Sequence, residues 1–400
     1  MTFVKIDRIG TRGDGMGNED GKTVIVGKTL PGETIALVGG KLKRIVTPST
    51  DRIAAFCKFY DSCGGCKFQH WAYEPYATWK RQLVVDALKS QGLEVEVSPM
   101  LDAHGLGRRR VSLHVRQIDG VWHAGFMEAK THDLVAIDVC PVLDPKLHEA
   151  FAIAAAFGPL MGACDVAITA ADNGLDVSIK AEREAVAKRI SAFNELMSKF
   201  NIARVSVNNL VAAQGRIPMV SVGKANVPLP VQSFLQATAL GEETLVKLVR
   251  EPMTKSKKII DLFCGVGPFT FQIAETHKVH GIDLDKAAIG GMLQAARFST
   301  GLKPLTAEAR DLFDNPLVPA ELNEFDTVVM DPPRGGAEAQ ARQLAKSKVK
   351  LVISVACDVL SFARDAAILV RGGYKLVKVT PVDQFKYTAH VEIVGVFKRQ

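Results

Sequence analysis

The run Ile259-Ile260-Asp261-Leu262-Phe263 passes directly into Cys264-Gly265-Val266-Gly267, and helical spacing follows over residues 269–275. A short buried strand, a glycine turn and a helix start make a nucleotide-type binding loop. Glycine lets the backbone approach a ligand closely, and the first turn of the helix offers N–H groups with no partner inside the helix. Many cofactors use such a loop, so the residues downstream must choose the ligand.

Those residues alternate between strand and helix patterns. Apolar segments at 259–263, 279–283, 326–330, 351–355, 375–379 and 391–397 are separated by helical stretches. This alternation predicts a doubly wound α/β domain with a mostly parallel sheet. Ligands of such sheets sit at the carboxyl ends of the strands, and the chemistry-bearing residues fall there. Asp283, about twenty residues after the glycine loop, suits the hydroxyls of a ribose. Asp311 follows Ala307-Glu308-Ala309-Arg310 and is placed to face a base. Asp331 opens Asp331-Pro332-Pro333-Arg334. Amine methylases carry an aromatic residue after that motif and cytosine carbon-methylases a cysteine nearby, and both are missing here.

Cys357 ends the fifth strand segment, and Glu392 opens the last one within His390-Val391-Glu392. Taken singly, one reads as a core cysteine and the other as an edge-strand acid. Together, downstream of a cofactor loop, they suit addition chemistry on a uracil ring. A thiolate adding at carbon 6 makes carbon 5 nucleophilic toward a sulfonium methyl donor. A base must then remove the proton on carbon 5 so that the thiolate can leave. A free thiol titrates near about 8.5, so the site must either lower that value or deprotonate Cys357 on binding.

Upstream, residues 1–47 read as a small β unit with turn signals at Gly13-Asp14-Gly15, Pro31-Gly32 and Gly39-Gly40. It is either an RNA-touching barrel or a β cap with a solvated basic edge. Cys57, Cys63 and Cys66, with Cys140 far along the chain, give three clustered thiols and a distant fourth. A cubane iron–sulfur cluster takes one thiolate per iron and fits better than zinc, which favours two close pairs. Four unrelated buried cysteines are the plain alternative. Arg108-Arg109-Arg110 is a basic cluster suited to a solvated edge or to phosphate contact. A helix is expected over 76–90, a hairpin around Asn173-Gly174, a helix over 183–200, and another over 236–249 after the boundary at Pro228-Leu229-Pro230.

Seven cysteines, an odd number in a chain of 400 residues, point to metal binding or catalysis rather than to a disulfide framework. With no signal-peptide pattern and no apolar run of membrane length, the expectation is a soluble, cytoplasmic protein. A formal net charge of +7 permits a polyanionic partner.

In their order and spacing these residues resemble the RNA 5-methyluridine methyltransferase family over nearly the whole chain. The resemblance implies a Rossmann-like class I methyltransferase domain at 231–400, a central α+β domain at 48–230, and an abbreviated RNA-binding TRAM-like β-barrel at 1–47. It implies S-adenosylmethionine as methyl donor, with Gln236, Phe263, Asp283 and Asp331 as its contacts beside Gly265 and Asp311. Cys357 matches the nucleophile and Glu392 the base. The pattern of Cys57, Cys63, Cys66 and Cys140 is similar to the branch that holds a 4Fe–4S cluster and modifies large-subunit ribosomal RNA, which implies an RNA partner and a monomer. Transfer RNA as substrate, an assembly factor with vestigial catalysis, and an amine methylase are the alternatives. Pro268, Asp283, Asp358-Val359 and Lys386 depart from the family pattern.

Overall fold

The computed structural model describes residues 1–182 and 189–399. Strands β1 (Thr2–Ile9), β2 (Gly15–Glu19), β3 (Lys22–Val26), β4 (Thr34–Val38) and β5 (Lys41–Thr47) form an antiparallel sheet in the order β3-β2-β1-β4-β5. Alternation along β1 turns Val4 and Ile6 inward onto Val26, Ile35 and Leu37. Register shifts in the β1–β2 and β4–β5 ladders bend the sheet in the way a barrel-like unit requires.

Helix α1 (Tyr73–Ser90) and strand β6 (Leu101–Asp102) precede a seven-stranded sheet. Its strands are β7 (Arg110–Ile118), β8 (Val121–Met127), β9 (Leu134–Ala136), β10 (Cys164–Ala171), β11 (Gly174–Ala181), β12 (Ile202–Val207) and β13 (Leu210–Gln214). They lie in the order β13-β12-β11-β10-β7-β8-β9, with helices α2 (Ala150–Ala156), α3 (Gly158–Met161) and α4 (Ile190–Lys199) packed on them. The expected hairpin is β10–β11. Its turn is Asp172-Asn173, and Gly174 pairs with Ala171, so the glycine begins the second strand rather than ending the turn. Of the helix expected over 183–200, residues 183–188 lie outside the described residues, and α4 covers most of the remainder. A hairpin of β14 (Met219–Val222) and β15 (Ala225–Pro228) follows.

The C-terminal part contains α5 (Ala239–Arg250), β16 (Lys258–Leu262), α6 (Pro268–Ala274), β17 (Lys278–Asp283), α7 (Lys286–Phe298), β18 (Leu305–Ala309) and α8 (Pro319–Leu322). It continues with β19 (Thr327–Met330), α9 (Glu338–Lys346), β20 (Leu351–Ala356), α10 (Val359–Arg371), β21 (Tyr374–Asp383) and β22 (Glu392–Arg399). The sheet order is β18-β17-β16-β19-β20-β22-β21-β6. The first five strands are parallel, and β22 runs antiparallel to both its neighbours. Helices α1, α9 and α10 cover one face, and α5 and α6 cover the other. The connections reverse direction between β16 and β19, the place where such sheets bind ligands.

Three differences from the sequence reading have physical causes. Strand β18 is mostly exposed and mixes small and polar residues, so it lacks an apolar run. Helix α5 starts at Ala239 instead of 236, because the Thr238 hydroxyl caps it by accepting from the Gly241 N–H at 2.9 Å. Residues 236–237 are thereby left outside the helix. Helix α1 and strand β6 belong in sequence to the expected central portion, yet they pack on the C-terminal sheet. Leu83, Val84, Ala87 and Leu88 of α1 are buried against that sheet's core, and β6 pairs with the edge of β21. Burying each large apolar side chain contributes about 1.5–3 kcal/mol, which is ample reason for the helix to cross a boundary drawn from sequence.

Candidate active site

The glycine turn after β16 is built from unusual backbone. Phe263, Gly265 and Gly267 all have positive φ, at 62°, 54° and 86°. For Phe263 this is a strained conformation of the kind found at ligand sites. A side chain at Gly265 would meet nothing within 4 Å, so the turn opens onto free space. A side chain at Gly267 would strike the Met292 sulfur at 2.7 Å, so that glycine serves close packing on α7. Asp283, at the end of β17, accepts from the Gly265 N–H at 2.8 Å and from the Asp285 N–H at 2.8 Å. Its shorter side chain is thereby fixed at the rim of the turn. Asp311 accepts from the Phe313 N–H at 2.9 Å, and this sets the Phe313 ring 5.4 Å from the Phe263 ring.

A cavity of ≈ 610 Å³ runs along the carboxyl ends of the strands. Gln236, Phe263, Gly265, Asp283, Asp311 and Asp331 line it, and so do Cys357 and Glu392. The structure therefore brings together every cofactor and catalytic candidate read from the sequence. It also adds residues to which the sequence reading gave no role: Phe234, Phe385 and His390 line the same cavity. Phe234 is 65% exposed despite its size, which suits a flat ring-shaped ligand more than a packing role.

The electrostatics differ from one expectation. Cys357 lies at the end of β20, and its thiol is pushed up to about 11 by burial and by the charges of Glu392 and Asp331, opposed by Arg334 and a backbone hydrogen bond. The site does not lower the thiol's value. Glu392 is 2% exposed. Burial and the Asp331 charge push it up to about 8, against a hydrogen bond from Gln384. Burial pushes Asp331 up to about 7 and Asp261 to about 7. The Asp261 carboxylate accepts from the Thr270 hydroxyl at 2.6 Å through one oxygen, and its other oxygen is buried without a partner.

Cys57, Cys63, Cys66 and Cys140 all line a second cavity of ≈ 490 Å³, together with Arg108 and Arg110. Phe234, Arg334 and Phe385 border both cavities. Gly64 lies so close to β8 that a side chain would sit 2.8 Å from the Met127 carbonyl oxygen. Burial raises the thiols of Cys63 and Cys140 and takes Cys66 up to about 12, so all three are neutral until something displaces their protons. Among the described residues no group of three or more His, Cys, Asp or Glu side chains stands close enough to hold a metal ion. A single zinc ion would need its thiolate sulfurs within about 4 Å of one another. The four cysteines share a chamber.

The arginine run divides. Arg109 is committed to the protein, as an ion pair with Glu242 and a donor to the Gln236 carbonyl at 2.8 Å. Arg108 and Arg110 face the cysteine cavity. The family departures also acquire reasons. Pro268 is the first residue of α6, so it presents no N–H and no polar side chain to a ligand. Asp358 caps α10 by accepting from the N–H groups of Leu360 at 3.1 Å and Ser361 at 2.9 Å. Lys386 pairs with Asp102 and lies over the Tyr73 ring at 5.0 Å, tying its loop to the segment around α1 and β6.

A parallel sheet with this strand order, a glycine turn at its switch point and acids at successive strand ends defines a class I S-adenosylmethionine-dependent methyltransferase. Residues 253–364 match a family model described as a methyltransferase domain. The chain is 39% identical over 404 residues to an uncharacterized RNA methyltransferase of Brucella suis, covering 99% of this chain and 97% of that one. It is 27% identical to the 23S rRNA (uracil(1939)-C(5))-methyltransferase of Vibrio parahaemolyticus, covering 99% and 95%. Its fold is similar to the crystal structure of the Pyrococcus abyssi tRNA (uracil-54, C5)-methyltransferase in complex with S-adenosyl-L-homocysteine. That match has a TM-score of 0.76 and 22% identity, over 99% of this chain and 100% of the other. The chain belongs to the RNA methyltransferase family of these relatives. Among the described residues no helix is long and apolar enough to cross a membrane.

Proposed function

We propose that this RNA methyltransferase transfers a methyl group from S-adenosylmethionine to carbon 5 of a uridine in 23S ribosomal RNA. The observation that carries this reading is that Cys357 and Glu392 share one cavity with the glycine turn, close enough for the Glu392 charge to hold up the Cys357 thiol. Cys357 gives up its proton to solvent on binding, its sulfur bonds to carbon 6, and the electron pair of the carbon 5–carbon 6 double bond moves into the ring carbonyl system. Carbon 5 then takes the methyl group, and the bonding pair stays on the donor's sulfur. Glu392 removes the proton from carbon 5, the double bond re-forms, and the thiolate of Cys357 is expelled. Asp283 serves the ribose of the donor and Asp311 its base, with Phe263, Gly265, Gln236 and Asp331 completing the cofactor side. The target base leaves its stack to reach Cys357 between Phe234 and Phe385.

Ribosomal RNA is favoured because the Vibrio relative named for it aligns with this chain over nearly its full length. Transfer RNA is the alternative, suggested by the Pyrococcus fold. Residues 1–47 act as a TRAM-like RNA-binding unit, 48–230 as the cysteine-bearing part and 231–400 as the transfer domain, working as a monomer. The four cysteines hold a 4Fe–4S cluster, one thiolate per iron. Anaerobically reconstituted protein should bind iron and sulfide in equal amounts, and Cys57→Ser should lose both. Retention of one zinc ion instead would replace the cluster reading.

RNA containing 5-fluorouridine should form a stable adduct with Cys357, since fluorine at carbon 5 leaves no proton for Glu392 to remove. Cys357→Ala should give neither adduct nor methyl transfer. Absence of an adduct with a proven RNA substrate and donor sinks the addition mechanism. Comparing 5-methyluridine in cellular RNA with and without the protein assigns the target.

A further inference from the structure

The amide side chain of Gln384 is fully buried at the end of β21, and its orientation is fixed by what surrounds it. Its oxygen accepts from the Ala237 N–H at 3.1 Å, so its NH2 group must face the other way. One N–H donates to the Gln236 side-chain oxygen at 2.8 Å and the other to Glu392 Oε2 at 2.7 Å. Gln236 is oriented in turn, because its oxygen is occupied by Gln384 and its own NH2 group donates to Asp331 Oδ2 at 2.8 Å. Arg109 clamps the backbone of the same segment by donating to the Gln236 carbonyl and, through its N–H, to the Ala237 carbonyl at 3.0 Å. Two neutral amides thus join the carboxylates of Glu392 and Asp331 and offer each of them a donor.

We propose that Gln384 is a positioning residue for Glu392, aiming its carboxylate, favouring the charged form that acts as base, and linking it through Gln236 to Asp331. The inference rests on the function proposed above. The charged and titratable groups around Glu392 are Asp331 beyond β19, Cys357 at the end of β20 with Arg334 beside it, and His390, which lines the same cavity and whose imidazole burial holds toward its neutral form. The neighbouring acid on β21, Asp383, is bound to Lys80 and Tyr76 instead. Burial and Asp331 both favour the protonated form of Glu392, and the Gln384 N–H is the group that opposes them. A donor to a carboxylate favours its charged form. No other residue type of this size supplies that donor while its oxygen satisfies the Ala237 N–H. Glutamate would compete for the same proton, and methionine would leave all three partners without Gln384's hydrogen bonds.

The test compares wild type with Gln384→Met and Gln384→Glu on an RNA substrate, measuring single-turnover methyl transfer, RNA release and the pH dependence of release. In Gln384→Met the acid limb of the release profile should move up by about one unit, the effect of one charge-assisted hydrogen bond. Release at neutral pH should slow about tenfold and the Cys357–RNA adduct should accumulate, while methyl transfer stays within about threefold. If the apolar variant fails to fold, Gln384→Glu carries the test, since it keeps the shape and should move the limb up at least as far. An acid limb within about 0.3 unit of wild type in the folded variants overturns the inference. Equal slowing of transfer and release with an unmoved limb also overturns it, since that is the signature of a purely structural role. Failure of wild type itself to form the 5-fluorouridine adduct would instead overturn the underlying addition mechanism.

Discussion

Cys357 sits among negative neighbours, and this shapes its reactivity. A thiol held at about 11 by burial, Glu392 and Asp331 is almost wholly protonated at neutral pH. Alkylation of Cys357 by iodoacetamide at about pH 8 should therefore run about 100-fold slower than for a free cysteine, because only the thiolate reacts. Mass-spectrometric labelling rates measure this directly, and Glu392→Gln should speed the labelling by removing one of the charges. Both residues were legible in the sequence, because a cysteine and a glutamate at strand ends below a cofactor loop are chemically unusual. Gln384 was not legible. An amide between strands carries no chemical signal of its own, and its partner Gln236 is 148 residues away in the chain. Only folding closes that pair.

At the scale of elements, the loop between β21 and β22 carries Phe385, His390 and the approach to Glu392, and α1 holds it in place. Lys80 is wholly buried and donates to Asp383 Oδ1 at 2.6 Å. Tyr76 donates to Asp383 Oδ2 at 2.9 Å and accepts from the Tyr387 N–H at 2.9 Å. Lys80→Met would leave Asp383 buried without its cation, which costs about 3–5 kcal/mol when one partner of a buried pair is removed. Urea unfolding should show that loss, and Lys80→Met/Asp383→Leu should recover part of it. The helix itself was readable from its spacing, within three residues at its start. Its role was not, because a lysine in a helix reads as solvated until the neighbouring sheet is placed against it.

Across the whole molecule, three strand ends bring buried acids into one region. Asp261 and Asp331 are pushed up to about 7 and Glu392 to about 8. Each binds its proton more tightly folded than unfolded, where carboxyls titrate near about 4. Their contribution to stability is complete below that range and is lost as pH rises through about 7 to 8. The melting temperature of the ligand-free protein should fall between about pH 6 and 8, and Asp261→Asn should flatten the slope. A pH series of thermal melts for both proteins checks this.

Order along the chain determined the alternation of strand and helix, the glycine turn, the acids at strand ends and the pair Cys357 and Glu392. Those features depend on local periodicity and on residue types that are costly to place without reason. Tertiary structure alone decided that α1 crosses to the C-terminal sheet, that Arg109 serves the fold, and that Cys357 is a protonated thiol. It alone joined Glu392 to Asp331 through two amides. Burial and charge proximity are sums over residues distant in sequence, so no window along the chain contains them.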